Sequence, residues 1–391
     1  MTDTAPMPGS QPALRRANQL RVLRAVRTAG ALTQAEIARA TGLSAATVSN
    51  IVRELRESGT VVVSPTSSSS GRRAQSVSLA RQAGIAVGVD VGASYLRVAL
   101  SDLGDHVVAE EAIPYDVAAN AERGMRRAVW LVETLLAEAR VDRSEVIGVG
   151  VSVPGPVDGT TGEIDSSTIM PGWAGVRPAE DLGDRLGMPV HVDNDANLGA
   201  LGEMVGGAGR GCGHLVYLKL SNGVGAGIVA DGRLYRGAGG IAGAIGHITV
   251  DARGPVCRCG NRGCLETLVG GPYLLQMLPR PPGRGESPPT MRAVIADALA
   301  GDLGCRRILA DAGRAVGNGV AILANLFNPR LVILGGDLAR AGDLLLQPIR
   351  QSAEEGAIPS ALRSLQVLRS TLDELAQVVG ALALAATAVQ P

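Results

Sequence analysis

The chain has 391 residues, 46% of them hydrophobic and 19% charged. That length suits two or three domains, and the apolar content excludes wholesale disorder. Nowhere do eighteen apolar residues run together, and the opening MTDTAPMPGSQPALRR lacks the basic start and apolar stretch of a secretory signal. No membrane partner and a cytoplasmic location are therefore expected.

Net charge is zero, but it is unevenly spread. Residues 1–80 hold ten arginines against four acidic residues (Asp3, Glu36, Glu54, Glu57), an excess of six positive charges that the remainder offsets. A small basic head on an acidic body points to a polyanionic partner for the head. Only 2% of residues are aromatic, which disfavours stacking on single-stranded bases and leaves duplex DNA. Lys219 is the only lysine, so 36 of 37 basic residues are arginine, a bias to which no function attaches at this level.

Residues 1–14 read as a disordered tail and 15–80 as a winged helix-turn-helix. Leu20, Leu23 and Val26 recur at helical spacing. Thr33 with Glu36 three positions on is a capping box opening a helix that stops at Gly42. Ser44 caps a second helix whose inward positions are Val48, Ile51, Val52 and Leu55. Small or hydrogen-bonding side chains at its outward N-terminal end suit entry to a major groove, so Ser44, Ala45, Thr47, Ser49, Asn50 and Arg53 are the predicted base-reading surface. Past Gly59 the pattern turns to period two over Thr60–Val63 and Ser76–Leu79, two strands of a wing. Arg72 and Arg73 fall at its tip, where they are expected to reach a minor groove.

From Ile85 the chain reads as an α/β body covering residues 84–391. Ile85–Gly92 is a buried strand ending in Asp90 and Gly92, with Ser94 opening the returning strand. Glu145–Val153 and Pro189–Asp195 are further strands, the last running into a helix. A second half begins the same way: His214–Leu220 leads into the glycine turn that holds Gly223 and Gly225. Arg330–Leu334 leads into Gly335 and Gly336. Two tandem strand–glycine turn–strand units predict a duplicated, two-lobed fold with a cleft, and such turns let backbone N–H groups approach phosphates. The expected lobes are residues 84–196 with a C-terminal helix from 375 to 391, and residues 197–374.

His247, Cys257, Cys259 and Cys264 place an imidazole and three thiols within eighteen positions, with Gly260 and Gly263 allowing the tight knuckle between the sulfurs. Zinc takes four such ligands tetrahedrally, and a closed Cys₃His shell is structural rather than catalytic. One zinc ion per chain is expected there. Cys212 and Cys305 read as small core residues.

The segments GVDVGAS (88–94), PGPVDGTTGEI (154–164), PGW (171–173), VDNDAN (192–197), SNGVGAGI (221–228), GAIGH (243–247), CRCGNRGCLE (257–266) and NPRLVILGGDL (328–338) resemble the ROK family of repressors, open reading frames and sugar kinases. With the winged head in front, the chain is similar to the family's repressor branch. The resemblance implies an α/β, actin-like ATPase fold of sugar-kinase type behind the winged helix-turn-helix, with a sugar bound beside the zinc knuckle. It implies that Asn194 and Asp195 match the sugar-binding asparagine and the kinase base, that His247 serves both zinc and sugar, that Glu266 is a sugar ligand, and that Gly155 lines the sugar.

Against the kinases it resembles, the first phosphate loop here reads Asp90-Val-Gly92-Ala93-Ser94, the second has Asn222, and Ala244 stands where the family has a glutamate. The phosphate-loop residues Asp90, Gly92, Ser94, Gly223, Gly225, Gly335 and Gly336 are thus remnants. The expected function is a sugar-responsive transcriptional regulator that senses a sugar or sugar phosphate and lacks kinase activity. The alternative is a sugar kinase with an accessory DNA-binding head, in which Asp195 is catalytic. One recognition helix reads few bases, so a homodimer or homotetramer on palindromic duplex DNA is expected.

Overall fold

The computed structural model describes residues 11–29, 31–66, 74–79, 84–92, 94–103, 106–116, 120–165, 170–278 and 290–387. The head starts with α1 (Gln11–Ala29), so residues 11–14, expected in the tail, form its first turn. The remainder of that tail, residues 1–10, lies outside the described residues. A two-residue strand β1 (Leu32–Thr33) follows, then α2 (Gln34–Thr41), α3 (Ala45–Glu57), β2 (Val61–Thr66) and β3 (Ala74–Leu79).

Local chemistry sets these boundaries. The Thr33 hydroxyl accepts from the Glu36 N–H at 3.3 Å while the Glu36 carboxylate accepts from the Thr33 N–H at 2.8 Å. Gly42 then ends α2 in the left-handed region at φ 67°, a conformation that carries almost no cost without a Cβ. Val22, Val26, Ile37, Val48, Ile51, Val52, Leu55, Val61 and Val77 form the head's core. β3 pairs antiparallel with both β2 and β1, giving the three-stranded wing. The pairing of Leu32 with Val77 is a contact that period-two patterning does not reveal in so short a strand.

The body repeats one sheet plan twice. Its first half runs β4 (Ile85–Val91), β5 (Tyr95–Asp102), β6 (Val107–Pro114), α4 (Ala121–Ala139), β7 (Val146–Val153), α5 (Pro178–Leu186) and β8 (Val190–Asn194). The sheet order is β6-β5-β4-β7-β8, an antiparallel meander extended by two parallel strands. After α6 (Asp195–Gly206) come β9 (Leu215–Leu220), β10 (Val224–Ala230) and β11 (Arg233–Tyr235). Next are α7 (Glu266–Val269), α8 (Gly271–Gln276), α9 (Met291–Ala300), α10 (Leu303–Phe327), β12 (Leu331–Gly335), α11 (Asp343–Gly356), α12 (Pro359–Leu362) and β13 (Gln366–Arg369). The second sheet has order β11-β10-β9-β12-β13 with the same alternation of sense. This duplicated plan is the two-lobed, actin-like kinase fold.

The final helix α13 (Ala376–Thr387) returns to the first sheet, burying Val378, Leu382 and Ala385 against Ala86 and Ala99. It also packs along α6. Such close approach needs missing side chains: a Cβ on Gly150 would lie 2.0 Å from the Ala381 carbonyl oxygen, and one on Gly380 would lie 1.8 Å from that of Leu198. Both glycines are therefore set by packing. Among the described residues no helix is long and apolar enough to cross a membrane.

Candidate functional site

α3 presents its N-terminal end to solvent. The Ser44 hydroxyl caps it by accepting from the Thr47 N–H at 3.1 Å, and the Ser44 and Thr47 hydroxyls lie 2.8 Å apart. Ser44, Ala45, Ser49, Asn50 and Arg53 are exposed and Thr47 is half-buried, while the four inward positions are buried. One Arg53 guanidinium N–H reaches the Asn50 side-chain oxygen at 3.3 Å, joining two of the outward groups. Arg72 and Arg73 lie outside the described residues.

The cleft of the body encloses about 930 Å³ between the ends of the two sheets. Gly92, Ser94, Gly155, Asn194, Asp195, Gly223, Gly225, His247 and Gly336 all line it. Asn194 ends β8 and caps α6: its side-chain oxygen accepts from the Ala196 N–H at 2.9 Å and its amide nitrogen donates to the Gly155 carbonyl at 2.8 Å. That second bond fixes the loop carrying Gly155 against the helix start. Asp195 is then the first residue of α6, where the positive helix end favours a carboxylate.

Three predicted residues are placed differently from the cleft-lining group. Asp90 is fully buried and does not line the cleft, and neither does Gly335. Glu266, implied as a sugar ligand, is 1% exposed and also lies behind the wall. The Arg258 guanidinium donates to both Glu266 oxygens at 2.8 Å, and the Val224 N–H donates to one of them at 3.1 Å. The reason is charge: a buried carboxylate takes the nearest fork of donors, and Arg258 sits in the knuckle beside it.

Two features of the cleft floor escape sequence reading. The Tyr95 ring lies across Gly92, so that a Cβ there would sit 2.2 Å from the ring, and the Tyr95 hydroxyl donates to Asp90 at 2.7 Å. Burial, together with the Asp90 charge and that hydrogen bond, pushes the Tyr95 phenol well above its ordinary value. Burial likewise raises Asp90, against the pull of Lys219 and the Tyr95 hydrogen bond. The Lys219 ammonium donates to Asp195 at 2.6 Å. The only sequence signal for Lys219 is that it is the sole lysine in an arginine-rich chain.

His247, Cys257, Cys259 and Cys264 converge, with their ligand atoms all within 4.8 Å of one another. The Cys257 sulfur lies 3.6 Å from His247 Nδ1, and the Cys259 and Cys264 sulfurs are 3.6 Å apart. Tetrahedral zinc with Zn–S bonds near 2.3 Å sets sulfurs about 3.8 Å apart, so the donor set and its spacing fit a metal. Burial, with hydrogen bonds from Cys259 and Cys257, pushes the Cys264 thiol up to about 12. A bound cation reverses that and makes the thiolate the stable form. Cys212 and Cys305 are buried elsewhere.

Residues 86–388 match the ROK family model, and residues 14–74 match a MarR family model. The chain belongs to the ROK family. It is 30% identical over 387 residues to a xylose repressor of Caldicellulosiruptor bescii, covering 96% of this chain and 97% of that protein. It is 32% identical over 312 residues to a glucokinase of Thermotoga maritima, which covers 75% of this chain and 95% of the kinase. The crystal structure of a ROK family transcriptional regulator, a homologue of E. coli MLC protein, superposes with a TM-score of 0.80 at 25% identity over 96% of this chain and 97% of that one. The kinase match covers 75% of this chain, whereas the repressor and regulator matches each cover 96%.

Proposed function

We infer that the protein is a sugar-responsive transcriptional repressor. The observation that carries this reading is the joining of a winged helix, with its recognition-helix N-terminus open to solvent, to a ROK body whose cleft holds a sugar-type constellation at Asn194, Asp195 and His247. Residues 15–80 bind operator DNA and residues 84–391 bind the effector. In the head, Ser44, Ala45, Thr47, Ser49, Asn50 and Arg53 face the major groove, and Arg72 and Arg73 enter the minor groove. In the body, Asn194, Asp195 and His247 contact a sugar or sugar phosphate near Gly155, with Glu266 reached only if Arg258 lets it go. Zinc sits on His247, Cys257, Cys259 and Cys264 as a structural ion that orders the loop carrying Arg258.

The protein acts without sugar kinase activity. Phosphoryl transfer depends on positioning the nucleotide and neutralising its charge more than on the base. Here the Tyr95 ring covers the first glycine turn and the Asp195 carboxylate is already paired with Lys219. Two heads are needed for useful sequence choice, so a homodimer or homotetramer binds a palindrome.

The test begins by selecting an operator from random duplexes. Fluorescence anisotropy then follows its affinity with a sugar panel that starts from xylose, with each sugar also supplied as its phosphate. A change in operator affinity on adding one member, weakened by Asp195→Asn without loss of operator binding, is the expected result. ATP-dependent phosphorylation of that sugar, lost in Asp195→Asn, would overturn the repressor-only reading in favour of the kinase.

A further inference from the structure

Lys219 stands at the end of β9, paired in register with Gly225 of β10 on one side and Gly335 of β12 on the other. Its side chain lines the cleft, while the space over Gly335 is filled by the Tyr217 ring. Its ammonium meets Asp195 at 2.6 Å, with only 17% of the lysine side chain and 13% of the aspartate side chain exposed. Behind this pair Asp90 is fully buried. One of its oxygens takes the Tyr95 hydroxyl, and the other has no partner among the described residues. The floor thus holds two carboxylates, one on β4 and one at the start of α6, in a region nearly closed to water, where their mutual repulsion is poorly screened. A compact cation there relieves that repulsion.

We propose that Lys219 is the resident cation of the cleft: its ammonium occupies the charge position that a divalent ion would take between Asp195 and Asp90. It thereby holds Asp195 as a hydrogen-bond acceptor for a sugar hydroxyl and bars a metal–nucleotide from the site. The acceptor role rests on the sugar-sensing reading; the exclusion of metal does not.

The composition supports this assignment. Every other basic position in the chain is arginine, 36 in all, yet here the chain keeps an ammonium. A guanidinium is planar and forked, whereas an ammonium is a compact point charge that serves carboxylates from several directions. Burial by itself would lower the Lys219 ammonium, but the charges of Asp195 and Asp90 and the hydrogen bond to Asp195 outweigh it and hold the group above its ordinary value. The lysine stays charged, as a counter-ion must.

The zinc-loaded full chain tests this without DNA or sugar. Mn²⁺ binding is read by electron paramagnetic resonance in wild type, Asp195→Asn, Lys219→Met and Lys219→Met/Asp195→Asn. Wild type should show no site that depends on Asp195. Lys219→Met should bind one Mn²⁺ about tenfold or more tightly than wild type, because two carboxylates lose their neutralising charge. The double variant should lose that gain. A folded Lys219→Met that gains no Mn²⁺, or a wild-type Mn²⁺ site abolished by Asp195→Asn, overturns the proposal.

A second measurement leaves the lysine in place. Acetylation of Lys219, followed by peptide mass spectrometry, should run about tenfold faster in Asp195→Asn, since each unit of lost ammonium stabilisation raises the free-amine fraction tenfold. Equal rates overturn the proposal even if Lys219→Met fails to fold. Because neither assay reads operator or effector binding, their failure leaves the repressor reading standing, and failure of that reading leaves this one standing.

Discussion

The Arg258–Glu266 pair predicts an asymmetric response to mutation. Glu266 is 1% exposed and Arg258 is 29% exposed, with two guanidinium contacts at 2.8 Å and one amide N–H at 3.1 Å completing the carboxylate's shell. Arg258→Ala strands a buried carboxylate on a single donor. Breaking a buried pair in this way costs about 3–5 kcal/mol, and the partial exposure of Arg258 places the loss near the lower end, at about 3 kcal/mol. Glu266→Gln keeps the shape and the Val224 bond, and the freed guanidinium can turn to water, so it should cost about 1 kcal/mol. Arg258→Ala/Glu266→Gln should recover most of the Arg258→Ala loss. The assay is urea unfolding followed by circular dichroism at saturating zinc. Release of zinc to a chromophoric chelator reads the same knuckle kinetically and should be fastest in Arg258→Ala. If Glu266→Gln is as damaging as Arg258→Ala, or the double variant recovers nothing, the argument from unequal access to water is wrong.

Elemental analysis of protein purified without chelators should find about one zinc per chain, and Cys257→Ser should lose it together with the sugar response while the head still binds DNA. In gel shifts, Arg72→Ala/Arg73→Ala should weaken binding to all duplexes and flatten the salt dependence by up to about 0.9 log unit for each phosphate that is no longer neutralised; Asn50→Ala should instead alter preference among operator variants. The hydrogen bonds from the Thr33 N–H and hydroxyl hold the Glu36 carboxyl below the usual carboxylate range. Its contribution to the head is therefore present above the ordinary carboxylate pKa and lost as pH falls through the depressed value. Glu36→Gln, which removes the titrating group, should flatten that acid limb in thermal melts, and an unchanged limb would show that the capping carboxylate contributes nothing to it.

Much of the protein could be read locally. The caps at Thr33 and Ser44, the buried face of α3, the strands ending in Asp90 and Asn194, and the convergence of His247 with three cysteines all follow from chemistry within a few residues. A side-chain oxygen three positions before an N–H, a period of 3.6, or glycines between thiols act over one or two turns of chain. What escaped was the pairing of distant groups. Nothing near Lys219 announces Asp195, 24 residues earlier, or Asp90 in the other sheet, because their meeting depends on two lobes closing on one cleft.

Family resemblance marked Glu266 as a sugar ligand, but three-dimensional placement hands its carboxylate to Arg258. The resemblance also marked Gly92 as part of a phosphate loop, and the fold lays the Tyr95 ring over it. By itself the sequence determined the winged head, the duplicated body and the convergence of one histidine with three cysteines, since each is written in short-range periodicity and spacing. Only the tertiary structure decided which charges neutralise one another in the cleft, because electrostatic partners are chosen by proximity and burial, and proximity there is made by sheet register and lobe packing rather than by position along the chain.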